Sequence, residues 1–425
     1  APHAGVTISQ GDAIVTNSGT ISGAGFGITT AHYYNPETDL LEPLATGTSV
    51  INSGTIRGDN NDGIRLIGGG TDTNSGTIEG LVGQFADGIS MFALNGQDTT
   101  GDTEIGSVAN AAGGMIAGAR FGILQTGGGT VTNAGTISGG LASIRIQEVV
   151  AGQPRVADVN NSGTLIGGIG IGPNIASSTI VNSGTITTGG FSHGIDVHAD
   201  AVAIDNSGTI TATGGMFGVA AYSFGSLAME NSGTISGADG VEAVAGGETL
   251  SFVNSGTITG TGNEGGDELH GVTLIAGYNP VTFEPTRDAD TASFANSGTI
   301  TGEITLDFAA LSGSFVNSGT ITGQPGDSVV DFNVYRIDGA KGRLEWVAND
   351  PETIATLARL GFRKPAEVAG IVRSWHFGRY PAMRSAQARE RLTEITPVLL
   401  QALSRSGDPD GAFFAFDRFL GGLPS

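Results

Sequence analysis

The stretch "VNSGTITG" at residues 253–260 returns at 316–323, and close variants of it recur over three quarters of the chain. The asparagines that open these copies stand at 17, 52, 74, 110, 133, 161, 182, 206, 231, 254, 296 and 317. Ten copies read NSGT, Asn133 begins "NAGT", and Asn110 begins the degenerate "NAAGGMI". Adjacent spacings run mostly from 21 to 28 residues, with gaps of 35, 36 and 42. A period of this size that tolerates insertions is the signature of a solenoid.

Within one repeat, the residue two before the Asn is usually apolar: Val15, Val50, Val131, Ile180, Phe252, Phe294 and Phe315. Four residues after the Asn comes Ile, or Leu165. A Gly and an alternating stretch follow, as in "GIRLI" (63–67), "GIDVHA" (194–199), "GVEAVA" (240–245) and "GVTLIA" (271–276). Alternation of period two with β-branched residues predicts strands, so each repeat is two or three short strands joined by tight bends. A single coil cannot bury its apolar face, whereas stacked coils can, with equivalent positions about 4.8 Å apart along the axis.

The fold class expected is therefore all-β, a right-handed parallel β-helix of about twelve coils over residues 1–333. Each Asn is expected at a bend, its amide donating to and accepting from the Asn of neighbouring coils. This ladder is assigned to Asn17, Asn52, Asn74, Asn133, Asn161, Asn182, Asn206, Asn231, Asn254, Asn296 and Asn317. The Gly two places after each Asn is expected to supply a positive φ at the corner.

Composition bounds the function. The 425 residues carry a net charge of −22, 72 Gly and no Cys. Without cysteine there is no disulfide framework and no thiolate metal site. An acidic chain is a poor nucleic-acid or anionic-membrane binder, and no apolar run approaches the roughly 18 residues of a membrane span. The opening "APHAGVTISQ" lacks the basic start and apolar run of a signal peptide, so the expectation is a mature form or an internal fragment.

Charge and glycine both change near residue 334. Residues 1–333 have a net charge of −25 and 63 Gly; residues 334–425 have +3 and 9 Gly. The division expected is a β-helix domain over 1–333, a junction over 334–349 and a small all-α segment over 350–425. In that segment Asp350 caps a helix with Pro351 in its first turn and Gly361 as its stop. A second helix starts at Pro365, a longer one spans 385–403 with a bend at Pro397, and a last one is capped at Asp408 or Asp410.

Each candidate site also has a plainer reading. Asp196, His198 and Asp200 alternate onto one strand face, as three ligands of a divalent metal would; the plainer reading is a polar outer face. "GDNNDG" (58–63) is rich in oxygen ligands and suits Ca²⁺, but it lacks EF-hand spacing and reads more simply as a solvated turn. Two insertions, 32–47 and 277–292, both contain "YNP". They offer Tyr33, Tyr34, Tyr278 and Phe283 as loop residues for contacting a glycan or a protein. A glycan-active β-helix enzyme would need carboxylates paired with each other or with Arg or Lys along a groove. Residues 1–333 contain no Lys and six Arg: 57, 65, 120, 145, 155 and 287. No GxSxG, HExxH or P-loop pattern occurs, so no catalytic residue and no cofactor are assigned.

Two resemblances emerge from these motifs. The NSGTI repeats over about 10–330 resemble the passenger regions of bacterial autotransporters. That implies a surface or secreted protein with adhesive or structural work, whose partners are glycans or proteins on a host or neighbouring cell. The family's translocator barrel is not in this sequence. The stretch around "RSWHFGRYPAMRSAQARERL" (373–392), within 350–425, resembles the helical region between the two halves of the bifunctional glutamine synthetase adenylyltransferase/adenylyl-removing enzyme. That family's Gly-Ser followed by an Asp-x-Asp pair has no counterpart here, and "SGDPDG" (406–411) reads as a capping turn. One resemblance implies export and the other the cytoplasm, so the expectation is a chimera of two unrelated coding sequences. The alternative is an adenylyltransferase-related regulator of glutamine synthetase with a foreign N-terminus.

Overall fold

The computed structural model describes residues 3–35, 40–43, 47–83, 85–92, 106–147, 155–190, 192–262, 270–277, 279–281, 289–308, 310–322 and 330–334. The helices expected over 350–425, and Tyr278 and Phe283, lie outside the described residues, which contain no helix. The described residues form a parallel β-solenoid and group into two compact units. The first comprises residues to Tyr222 together with Gly233–Ala238; the second comprises Ser223–Ser232 and residues from Asp239 onward.

In the first unit a coil has three strand segments, seen in Thr48–Asn52, Thr55–Gly58 and Ile64–Ile67. The first ends on the Asn, the second carries Thr-Ile, and the third follows a Gly. Every strand pairs in parallel with its equivalents in adjacent coils, so side chains of like position form columns. One column is Ile28, Ile64, Ile89, Ile123, Ile144, Ile169 and Ile195. A second runs Ile56, Ile78, Ile116, Ile137, Leu165, Ile186 and Ile210. All fourteen side chains are essentially buried. Each is worth about 1.5–3 kcal/mol on burial, more than the roughly 1 kcal/mol net of a hydrogen bond. These columns therefore supply most of the driving force, and polar positions fix the register.

The asparagine column sets that register. In the first unit, Asn17, Asn52, Asn74, Asn110, Asn133, Asn161 and Asn182 each donate Nδ2–H to Oδ1 of the next Asn, ending at Asn206, at 2.7–2.8 Å. Asn110 takes its place in this line although its repeat is degenerate. Asn52 shows the full pattern: its Oδ1 accepts from Gly54 N at 3.2 Å, and its Nδ2 also reaches the carbonyls of Gly54 and Thr77 at 3.1 Å. A one-residue slip would turn this buried amide outward and Ile51 or Ser53 inward, so the register is strongly specified.

The glycine of the motif has a different reason from the one expected. The motif glycines are absent from the positive-φ residues. A Cβ on Gly54 would instead meet the carbonyl oxygen of Gly19 at 2.0 Å, and one on Gly76 that of Gly54 at 2.1 Å. The corner is glycine because the preceding coil's backbone occupies the side-chain position.

The second unit repeats the scheme. Asn231, Asn254 and Asn296 donate in turn as far as Asn317, at 2.7–2.9 Å. Its core is larger-grained: Met229, Phe252 and Phe294 are in register, and the two phenyl rings stack at 5.5 Å and 5°. The insertion containing Tyr33 and Tyr34 is a short antiparallel hairpin, His32–Asn35 with Leu40–Pro43.

Candidate ligand-binding face

Residues that alternate with the Ile28–Ile195 column lie on the other face of the same strands, where Ser90 and Leu124 are covered and Arg65, Arg145 and Asp196 are partly exposed. In register they are Thr7, Thr29, Arg65, Ser90, Leu124, Arg145, Gly170 and Asp196. Two of the six arginines of residues 1–333 thus share one outward row, and a third, Arg120, lies beside it.

Arg120 is occupied. Its Nε and Nη2 grip the fully buried Asp87 carboxylate at 2.9 and 2.6 Å, and its guanidinium lies 4.8 Å from the Phe121 ring centroid. Asp87 also accepts from Ser90 Oγ at 2.9 Å and from Phe121 N at 3.1 Å. Removing one member of such a buried pair is costly, because it strands the other charge. The pairing pushes the Arg120 pKa upward, so it is a fixed cation.

Asp62 sits behind this pair and corrects the expectation of a solvated turn at 58–63. It is buried and accepts from Asp87 N at 2.9 Å. Its neighbours are engaged elsewhere: Asp59 with Arg57 at 2.7 Å, and Asn60 with the Ala24 carbonyl at 2.6 Å. Burial, reinforced by the negative Asp87, pushes the Asp62 pKa from 3.8 up to about 6. A carboxyl whose folded-state pKa is raised is stabilising in its protonated form, so stability is greatest at low pH and falls as pH rises from about 3.8 to 6. The loss is about 3 kcal/mol at most. Asp62→Asn is expected to keep the bond to Asp87 N while removing this slope. Chemical denaturation at pH 4.5 and 7.5 measures it, and an unchanged slope in the variant would assign the titration to another group.

Two depressions open on the outward face. One, of about 270 Å³, is bordered by Thr7, Phe26, Thr29 and Arg65. The other, of about 230 Å³, is bordered by Phe121, Leu141, Arg145, Gly170, His193 and Asp196. In the second, the Arg145 guanidinium lies over Gly170, where a Cβ would meet Nη1 at 2.8 Å. His193 stacks on Phe217 at 5.2 Å, and its Nδ1 accepts from Phe217 N at 3.2 Å. His198 stacks on Tyr222 at 4.6 Å, and its Nε2 lies 3.1 Å from Asp196 Oδ1. Cation, carboxylate and aromatic faces therefore border one shallow groove, an arrangement suited to the hydroxyls and apolar faces of sugars.

Of the three metal-ligand candidates, Asp196 and His198 touch, while Asp200 is exposed two residues farther along the strand. Among the described residues no three His, Asp or Glu side chains are grouped to hold a metal ion. Sequence reasoning missed Arg65, the Asp62–Asp87–Arg120 cluster and the buried Asp72. A signal existed for Asp72: it stands two before Asn74, where other repeats are apolar.

No family model matches the chain, and no solved structure matches it. Curated proteins match the chain over a short segment. The chain is 53% identical over 77 residues to the bifunctional glutamine synthetase adenylyltransferase/adenylyl-removing enzyme of Rhizobium meliloti, 18% of this chain and 8% of that enzyme. The protein of the same name from Mesorhizobium japonicum is 51% identical over 77 residues, again 18% and 8%. That from Agrobacterium fabrum is 46% identical over 92 residues, 21% and 9%. The adenylyltransferase resemblance is thus real, and the chain spans less than a tenth of the relatives that carry it.

Proposed function

We propose that the solenoid is a non-catalytic adhesive or structural element of the autotransporter-passenger kind. In this reading it winds as a right-handed β-helix, works at the cell surface or outside the cell, and meets a glycan or a surface protein. The outward row of Arg65, Arg145 and Asp196, bordered by aromatic rings on a rigid stack, carries this reading. Such a row presents fixed polar groups and ring faces to a ligand without the entropic cost of ordering loops. Arg145→Ala combined with Asp196→Ala is expected to weaken glycan capture at least tenfold in surface plasmon resonance against a panel of neutral and acidic glycans. Retention of no glycan by the unaltered full chain would sink the proposal.

The second reading follows from the 53% identity to the adenylyltransferase. Here residues 350–425 fold as the helical region of that enzyme, and the chain acts in the cytoplasm on glutamine synthetase. Transfer of AMP from ATP to glutamine synthetase by the full chain would favour it, and the first reading expects none. A peptide crossing residues 331–344, detected by mass spectrometry in the native source, would establish the two parts as one protein. Peptides from both parts without a crossing one would assign each function separately.

A further inference from the structure

We propose that Arg65 is an anion subsite on the first unit, taking the carboxylate of a uronic-acid residue in an acidic glycan. The proposal rests on the glycan-binding reading above and gives that ligand a chemistry. Residues 1–333 hold six arginines against 31 acidic residues and no lysine, so an uncommitted cation there needs a reason. Arg57 is paired with Asp59, Arg120 with Asp87, and Arg145 donates to Gln147 Oε1 at 3.4 Å. Arg65 differs. Its Nε is buried with no hydrogen-bond partner, and it forms no ion pair among the described residues. The carboxylate of Asp62 acts on it only through space, its Oδ1 being occupied by Asp87 N.

Instead of an acceptor, Arg65 has two rings. Its guanidinium carbon lies 5.3 Å from the Phe26 centroid and 5.1 Å from that of Phe92. Rings at this range hold the planar cation by cation–π attraction; with Nε buried, the two outer Nη groups are left to face a bidentate acceptor. The adjoining depression of about 270 Å³ also carries Thr7 and Thr29, whose hydroxyls suit ring hydroxyls, and the Phe26 face suits an apolar sugar face. Its size is just below the roughly 300 Å³ at which small-ligand pockets begin, which fits one sugar ring and not several. A planar carboxylate is favoured because its two oxygens match the guanidinium fork.

The test is isothermal titration of the full chain with a uronic-acid trisaccharide (trigalacturonate) and with the neutral hexose trisaccharide of the same linkage. Trigalacturonate is expected to bind at least tenfold more tightly than the neutral sugar, and Arg65→Gln to weaken it at least tenfold. Arg65→Lys, which keeps the charge and loses the fork, is expected to fall between. Arg57→Gln, an equal charge change on the Thr55–Gly58 strand, is expected to leave binding unaltered. Equal affinity in Arg65→Gln overturns the proposal, as does an equal loss in Arg57→Gln. If neutral sugars bind as tightly, or only unrelated glycans bind, the subsite falls and the glycan-binding reading stands. If no glycan binds, both fall.

Discussion

Asp72→Val is expected to stabilise the first unit by about 2–4 kcal/mol at neutral pH, an unusual direction for a core substitution. Asp72 occupies the column formed by Val15, Val50, Val108, Val131, Val159, Ile180 and Ile204, directly between Val50 and Val108. It is 2% exposed, and neither carboxylate oxygen has a hydrogen-bond partner among the described residues. Thr48 Oγ1, two residues away in register on the neighbouring strand, is equally without one. Burial pushes the Asp72 pKa well above 3.8, so the folded chain holds a proton that the unfolded chain releases. Stability is greatest below the unfolded pKa and falls as pH rises toward the folded one, so the advantage of the Val variant widens with pH. Asp72→Asn separates the two causes: it removes the Asp72 share of the pH dependence, leaving that of Asp62, but keeps the cost of an unpartnered polar group. Denaturation midpoints of the three proteins between pH 4 and 8 measure both. A Val variant no more stable than the natural chain at pH 7.5 would show that the carboxyl is satisfied in solution.

The second large effect runs the other way. Asn133→Ala is expected to cost about 3–5 kcal/mol, because buried groups in its own coil and in the coils on both sides lose a hydrogen bond. Asn110 Nδ2 loses its acceptor at 2.8 Å and Asn161 Oδ1 its donor at 2.8 Å, while Gly135 N loses the oxygen at 3.2 Å. Asn17→Ala, where only Asn52 loses a ladder partner, is expected to cost about 1 kcal/mol. Amide hydrogen exchange resolves the difference: the Asn133 variant should lose protection over coils on both sides, the Asn17 variant only at its own. Equal costs at the two positions would mean that the ladder bonds contribute no more buried than at the edge.

The coil was legible because every copy states it again. Val50, Asn52 and Ile56 occupy the same places as Val131, Asn133 and Ile137, and a periodic pattern survives individual exceptions. The exceptions were harder to read. Asp62 follows "GDNN" and looks like a turn acid, but the chain there closes against the Asp87 loop of the next coil, which sequence spacing does not reveal. Arg65 alternates correctly as an outward residue in "GIRLI"; what sets it apart is the pair Phe26 and Phe92, 39 residues before and 27 after it. Such neighbours are joined by stacking, so they become adjacent only once the coil lengths, insertions included, are known. The motif glycine was placed correctly for the wrong cause, since a carbonyl one coil away is invisible in a local motif.

The hydrogen-bonded asparagines all run in one sense, each amide giving its proton to the coil that follows and receiving one from the coil before. A coil of this kind therefore has a fixed head and tail, and any coil's tail fits any other's head. Copying a whole repeat in frame, such as the 21 residues from Asn161 to Val181, creates no new interface to be solved. It extends the stack by one step of about 4.8 Å. Reach becomes a quantity that gene duplication can adjust by counting, while the outward row on each coil remains free to diverge.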